Sequence, residues 1–326
     1  MKISTQCRDR GSPDAPAICR EAGLLRHSGS FDSTGRKVRG QAAGMNLKSW
    51  MGMAAALLVT GLAEAKPLRV LCYNLRYITS GDKGERAWTA RRDQAADLIK
   101  NDAADIVGIQ EGLPQMLNDL LARVPGYAVI GVGREDGIDQ GEYSAILVNT
   151  QRFGIQESGT FWLSDTPGVP NSRTWGNQVT RICTWAKLYD REAKQTLHFY
   201  NTHLDHESPE ARKKGTELIL SRIAARQPAG PVILTGDLNA REEDPLHAAI
   251  KAAGLADVWR AVHPEATAEQ SETIHQFTGA TTGARIDYIY ASPDFKAVDA
   301  EVIRSSKNGN YPSDHYPVRA TVKIED

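Results

Sequence analysis

The chain has 326 residues, is 41% hydrophobic and 24% charged, and carries a formal net charge of −1, an ordinary globular composition sufficient for one large domain or two small ones. Residues 66–326 alone hold 30 Lys and Arg against 35 Asp and Glu, a net charge of −5, which argues against a protein that grips long nucleic acid through concentrated positive charge. Cys7 and Cys19 lie in an N-terminal stretch, while Cys72 and Cys183 sit inside apolar runs and read as small buried thiols rather than a disulfide or a nucleophile.

Residues 1–44 are rich in Arg, Ser and Gly without amphipathic period, and read as a non-native or disordered extension. Then comes "MNLKSWMGMAAALLVTGLAEA", with Lys48 as a positive start, an apolar core from Met51 to Leu62, and Ala63-Glu64-Ala65 as a small-x-small cleavage site. The pattern predicts a signal peptide over 45–65, translation from Met45, a mature chain from near Lys66, and a periplasmic or secreted location. The apolar core is shorter than the ~20 residues a transmembrane helix needs, and no cysteine stands at the cleavage point for a lipid anchor. From Leu68 onward, strand-like runs are "LRVLCYNLRY", "DIVGIQ", "YAVIGVG", "SAILVN", "ICTWAKLYD", "TLHFYNTHL", "PVILTGDLN", "IDYIYA", "VDAEVI" and "YPVRATVKI", with helical periodicity over 87–100, 113–123, 209–226 and 243–253. So many strands against four helices disfavour a simple doubly wound sheet and fit two packed sheets with helices outside them. No internal repeat or linker divides 66–326, which reads as one domain.

Polar residues recur at the strand ends: Asn74, Glu111, Asn201 with His203, Asp237 with Asn239, Asp287, and Asp314 with His315. Each has a structural reading as well. Asn239 stands three residues before Glu242 in capping-box spacing, and Asp287 has Arg285 and Arg304 as potential partners. Taken together, carboxylates and amides suit a hard, oxygen-loving cation such as Mg²⁺. The set contains no thiolate, and a zinc site from His203, Asp205, His206 and His315 is the alternative. Two histidines beside a carboxylate-held cation supply the other half of phosphoester hydrolysis, positioning water and stabilising the leaving group.

The ordered segments "YNLRY", "GIQE", "NTHLD", "TGDLNA", "IDYIY" and "SDHYPV" resemble the endonuclease/exonuclease/phosphatase superfamily, the DNase I-like enzymes, over 68–323. "WTARRDQ", "GVGREDG", "GTFWLSDTPG" and "TRICTWAKL" resemble its mostly uncharacterised secreted bacterial members. The resemblance implies a four-layer α/β sandwich of two packed mixed β-sheets flanked by helices, with the active site at one edge of both sheets. It implies Glu111 as principal Mg²⁺ (or Mn²⁺) ligand with Asn74 beside it and Asp314 completing the shell. Asp237 and Asn239 would hold the attacking water and the scissile phosphate, their i, i+2 spacing on an extended segment pointing both to one side. His203 would contact phosphate or act as acid, and Asp287 would orient His315. Arg76 stands where the abasic-site nucleases carry an acidic second metal ligand, which weakens a two-metal reading.

The candidate substrate contacts are Arg134, Arg181 and Trp175. The leading expectation is a metal-dependent phosphoesterase that hydrolyses a phosphomonoester or phosphodiester bond of a small or lipid-derived organophosphate. Its alternatives are a secreted nuclease, disfavoured by charge, and a non-catalytic binding protein on the same scaffold. A walled pocket lined by Trp162, Trp175 and Arg181 would favour a small phosphoester, and an elongated basic groove a nuclease.

Overall fold

The computed structural model describes residues 66–325; the extension and signal-peptide expectations lie outside the described residues. Twelve strands form two six-stranded sheets. The first contains β1 (Leu68–Asn74), β2 (Ile106–Gln110), β3 (Tyr127–Ile130), β4 (Ile146–Asn149), β11 (Phe295–Val302) and β12 (Val318–Ile324), in the order β11-β12-β1-β2-β4-β3. The second contains β5 (Phe153–Trp162), β6 (Ile182–Asp190), β7 (Gln195–His203), β8 (Val232–Asp237), β9 (Ala256–Asp257) and β10 (Asp287–Ala291), in the order β5-β6-β7-β8-β10-β9. Each sheet has one parallel pair near its middle, β1 with β2 and β7 with β8, and antiparallel pairs around it.

Both faces of these sheets are covered, so the central strands read as continuous apolar runs rather than alternating ones. Val70, Cys72, Ile106 and Ile146 of the first sheet meet Leu197, Phe199, Ile233 and Ile289 of the second between the sheets. On the outer face of the first sheet, α1 (Trp88–Asp102) and α2 (Pro114–Arg123) bury Ile99 and Leu120 against Leu71 and Val107. On the outer face of the second, α3 (Pro209–Ala224) and α4 (Pro245–Ala252) bury Ile219 and Ile250 against Leu234 and Tyr288. The result is the four-layer sandwich. Helix starts follow local chemistry: Pro at the first turn of α2, α3 and α4, and side-chain caps from Ser208 to Ala211 N–H and Asp244 to Leu246 N–H. Asn239 is therefore not the cap that its spacing to Glu242 suggested.

β5 and β9 are strands the periodicity did not predict. β5 is an edge strand whose central residues are exposed and which contains two glycines, so it lacks an alternating signal, and β9 has only two residues. Short helices α5 (Val258–Val262) and α6 (Ala268–Ser271) were likewise unmarked. Cys72 and Cys183 are buried free thiols. Among the described residues no helix is long and apolar enough to cross a membrane. At the end of the sandwich where β1 and β2 begin, buried Arg152 joins the sheets through Asp105 (2.9 Å) and Asp190 (2.8 Å).

Candidate active site

At the opposite end, the pairing register collects the polar strand ends. His203, Asp237 and Asp287 occupy one row across β7, β8 and β10, because His203 is the register partner of Asp237 and Asp237 that of Asp287. Asn74 ends β1 beside Gln110, the residue before Glu111. A cleft of about 540 Å³ opens over this edge; Glu111, His203, Asp237, Asn239, Asp314 and His315 all line it. A recess of similar volume between α4, β9 and α5 lies over Tyr288 and Tyr290, but its acids Glu242 and Asp257 are engaged by Arg260 and Arg285.

One amide links the two sheets at the cleft floor. Asn74 Nδ2 donates to Glu111 Oε1 at 3.1 Å and to Asp237 Oδ2 at 3.0 Å, while Asn74 Oδ1 accepts from Arg76 N–H at 2.9 Å. Asn74 thus orients two carboxylates and turns its own oxygen toward the backbone. The other Glu111 oxygen accepts from Tyr77 N–H at 2.9 Å, and Asp237 Oδ1 accepts from Asn239 N–H at 3.0 Å. The segment is not extended through Asn239, as its i, i+2 spacing had suggested: β8 ends at Asp237, and Asn239 takes a left-handed backbone, φ 48°. Its side-chain amide donates to Leu204 carbonyl at 3.0 Å. Arg76 (φ 56°) and Glu111 (φ 59°) share that conformation, which non-glycine residues adopt at an energetic cost and which clusters at functional sites.

The surroundings push the two histidines in opposite directions. His315 Nδ1 lies 2.9 Å from Asp287 Oδ2 and 3.9 Å from Asp237 Oδ2. Burial acts to lower its pKa, but the carboxylates of Asp287, Asp314 and Asp237 outweigh that and hold it well above the usual imidazole value. His203, with Nε2 3.5 Å from Asp237 Oδ2, is pushed well below that value by burial and by the guanidinium charges of Arg181 and Arg134. Asp237 is raised to about 7, first by burial and then by the neighbouring Asp287 charge. Burial also raises Asp314. Two imidazoles shifted in opposite directions beside one carboxyl raised to about 7 are the ingredients of acid–base chemistry.

Glu111, His203 and Asp237 each present a ligand atom within 4.8 Å of the others, as do Asp237, Asp287 and His315. Carboxylate oxygens crowded in one cleft, with no thiolate among them, match the preference of a hard divalent cation. The zinc alternative is weaker, because His206 Nδ1 is engaged with Arg181 at 3.0 Å and Asp205 Oδ1 with the N–H groups of Glu207 and Ser208.

The substrate candidates divide. Arg181 lines the cleft, is only 5% exposed, and stands 3.7 Å from Asp205. Arg134 also lines it, in a two-pronged pair with Glu142 at 2.7 and 2.8 Å. Trp175 and Trp162 do not line it. Trp175 packs with Phe161 and Leu163 against the outer face of the second sheet, its indole N–H donating to Asp165 at 2.7 Å, and Trp162 donates to Arg134 carbonyl at 2.6 Å. Asp287 pairs with His315 rather than with either arginine: Arg285 holds Glu242 and Asp257, and Arg304 the carbonyls of Glu269 and Gln270. Asn201 is withdrawn between the sheets. Ser313 was overlooked, although it stands inside "SDHYPV": its hydroxyl donates to Asn74 carbonyl at 2.7 Å and accepts from His315 N–H at 3.3 Å.

The sandwich and the edge site together define a phosphoesterase-type hydrolase scaffold, and residues 71–315 match the Endonuclease/Exonuclease/phosphatase family. The chain belongs to that family, whose members are phosphoesterase and nuclease hydrolases. Among solved structures it is similar to an endonuclease/exonuclease/phosphatase from Bacteroides vulgatus, with 30% identity over 80% of this chain and 100% of that one and a TM-score of 0.75. It is also similar to the Bacteroides thetaiotaomicron mannosyl-6-phosphatase, with 34% identity over 79% and 100% and a TM-score of 0.73. D. rerio TDP2 in complex with single-strand DNA product shares the fold at 20% identity, covering 79% of this chain and 100% of that one, with a TM-score of 0.64. An uncharacterised protein of Acanthamoeba polyphaga mimivirus is 26% identical over an alignment of 167 residues, and the match covers 40% of this chain and 24% of that protein.

Proposed function

We propose that the protein is a metal-dependent phosphoesterase acting on a small organophosphate, with a sugar phosphate as the first substrate class to test. The observation that carries this reading is the convergence of Glu111, Asp237, Asn239, His203 and the His315–Asp287 pair on a single cleft. The water's proton passes to Asp237 as the water oxygen attacks phosphorus and the P–O bond to the alcohol breaks, and the departing alkoxide takes that proton up through solvent. His315, held cationic by Asp287, opposes its charge to the phosphoryl oxygens. His203 and Arg181 flank the same position and bind those oxygens from the other side, and Arg134, fixed by Glu142, borders the substrate body. Asn239 steadies the Asp237 carboxylate through its backbone N–H and faces the phosphate. A divalent cation, Mg²⁺ or Mn²⁺, held by Glu111 with Asp237 and Asp314 nearby, would offset phosphoryl charge.

A cleft of about 540 Å³ falls within the range of small-molecule sites, roughly 300–1,000 Å³. The mannosyl-6-phosphatase relative supports a sugar phosphate, and the net charge of −5 over residues 66–326 disfavours duplex DNA. The signal-peptide pattern over 45–65 supports export, which N-terminal sequencing of protein recovered from the periplasm or medium tests. A start far from Lys66 would count against cleavage at Ala65.

The test of activity takes metal-stripped protein, restores Mg²⁺ or Mn²⁺, and assays p-nitrophenyl phosphate, bis(p-nitrophenyl) phosphate, mannose 6-phosphate and plasmid DNA in parallel. Metal-restored turnover of the small esters with intact plasmid is the expected result. Plasmid nicking that disappears in Asp237→Ala would make the protein a nuclease.

A further inference from the structure

The segment "WTARRDQ" contributes nothing to the cleft surface, yet Arg91 within it is among the most deeply buried side chains of the protein, 2% exposed. A guanidinium removed from water ordinarily takes a carboxylate partner. Among the described residues none lies within ion-pair distance of Arg91. Its donors go instead to four backbone carbonyls: Nε to Arg86 at 2.9 Å, Nη1 to Leu75 and to Pro312 at 2.9 Å, and Nη2 to Arg76. The rings of Trp88 and Phe277 lie 5.2 and 5.7 Å from the guanidinium carbon.

The choice of carbonyls matters because a peptide group is planar, so fixing its oxygen fixes the direction of the N–H on the same plane. The peptide that carries Leu75 carbonyl also carries Arg76 N–H, which donates to Asn74 Oδ1. The peptide that carries Arg76 carbonyl also carries Tyr77 N–H, which donates to Glu111 Oε2. Pro312 carbonyl belongs to the peptide entering Ser313, whose hydroxyl holds Asn74 carbonyl. One side chain of α1 therefore grips the rear of the peptide groups whose front edges orient Asn74 and Glu111.

We infer that Arg91 is a positioning residue for the cation site, acting through the Leu75–Arg76 and Arg76–Tyr77 peptide groups on Asn74 and Glu111. The inference rests on the metal-dependent reading above and deepens it. Arg86 carbonyl and the Trp88 and Phe277 rings hold the guanidinium in place, while Asn74 passes the constraint on to Asp237.

The test measures Mn²⁺ binding by calorimetry, without substrate, for the purified full chain and for Arg91→Lys, Arg91→Gln and Arg152→Lys. Arg152 is an equally buried arginine at the far end of β1, so its variant reports what a merely structural loss does. Loss of support behind a metal ligand typically weakens metal affinity about 10- to 100-fold, and that is the expectation for both Arg91 variants. With p-nitrophenyl phosphate at saturating Mn²⁺, kcat should fall and KM should hold. Arg152→Lys should lower the melting temperature while leaving Mn²⁺ affinity at the wild-type value. A folded Arg91 variant of either kind with wild-type Mn²⁺ affinity would overturn the inference and leave the phosphoesterase reading standing. Wild-type protein that takes up no Mn²⁺ would overturn both.

Discussion

Gly108, in the middle of β2, offers the sharpest test of how the two sheets are held together. A Cβ at this position would sit 2.1 Å from Thr235 Oγ1 and 2.7 Å from Asn201 Oδ1, so the facing groups must retreat by about 1.3 Å to reach ordinary van der Waals contact. They are not free to do so. Thr235 Oγ1 donates to Asn201 Oδ1 at 2.9 Å, Gln110 Nε2 donates to the same oxygen at 2.7 Å, and Asn201 Nδ2 donates to the carbonyls of Ile109 and Ala145 at 2.8 Å each. Overpacking of this kind costs about 1–3 kcal/mol, and a buried hydrogen bond broken by the retreat costs about 1–3 kcal/mol more. Replacing glycine by alanine returns about 0.4–1 kcal/mol of chain entropy. Gly108→Ala should therefore lose about 1–5 kcal/mol, read as a lower urea midpoint at unchanged slope. Because Gln110 precedes Glu111 and Asn201 lies two residues before His203, parted sheets should also lower kcat by about tenfold or more. Thr235→Ala removes the nearest obstructing atom, so the double variant should recover at least about 1 kcal/mol relative to additivity. A Gly108→Ala protein as stable as wild type, or a double variant that shows no coupling, would refute the account of the interface.

Asp237→Asn keeps the shape of the site and removes its proton acceptor; kcat should drop by about 10²- to 10⁴-fold with an unchanged circular dichroism spectrum, and an active variant would move the base elsewhere. Glu111→Ala should raise the Mg²⁺ concentration for half-maximal rate steeply, and an unaltered metal titration removes Glu111 from the cation site. Trp175→Phe should lose about 1–2 kcal/mol of stability with its hydrogen bond to Asp165 and leave KM for p-nitrophenyl phosphate in place, since the indole sits away from the cleft; a raised KM would return it to the substrate site. Burial holds the pKa of His247 below the usual imidazole value, so the unfolded chain takes up a proton more readily than the folded one. Its contribution is therefore constant above pH ~6.5 and lost as pH falls below that value toward the folded pKa. His247→Gln should flatten the decline of the urea midpoint between pH 7 and 5, and a decline as steep as wild type would assign the acid sensitivity to other groups.

Much of the site was legible because register converts sequence into geometry. Runs such as "TLHFYNTH" and "VILTGD" each end on a polar residue, and pairing places those ends in one row. Asn239 lines the cleft with Asp237, but its turn was illegible because a capping box and a left-handed turn both use Asn, and only the chain path after Asp237 separates them. Trp175 was misassigned because an aromatic in a polar loop reads as a contact surface, whereas tertiary packing turned it onto Phe161 and Leu163. The support from Arg91 had no sequence signal at all: its carbonyl partners at Leu75 and Pro312 are 16 and 221 residues away, and backbone carbonyls carry no residue identity to read.

The polar contacts that tie Asn74 into the cleft span unusually long loops. Its bond to Asp237 closes 163 residues and the Ser313 bond to its carbonyl closes 239, while β12 pairs with β1 from the far end of the chain. Contacts of such separation carry the largest loop-closure entropy and form late in folding. Catalytic competence should accordingly be the final property the polypeptide acquires. A chain that has folded all but its last strand would hold most of both sheets and yet remain inert toward phosphate esters, because Asp314 and His315 stand just ahead of β12.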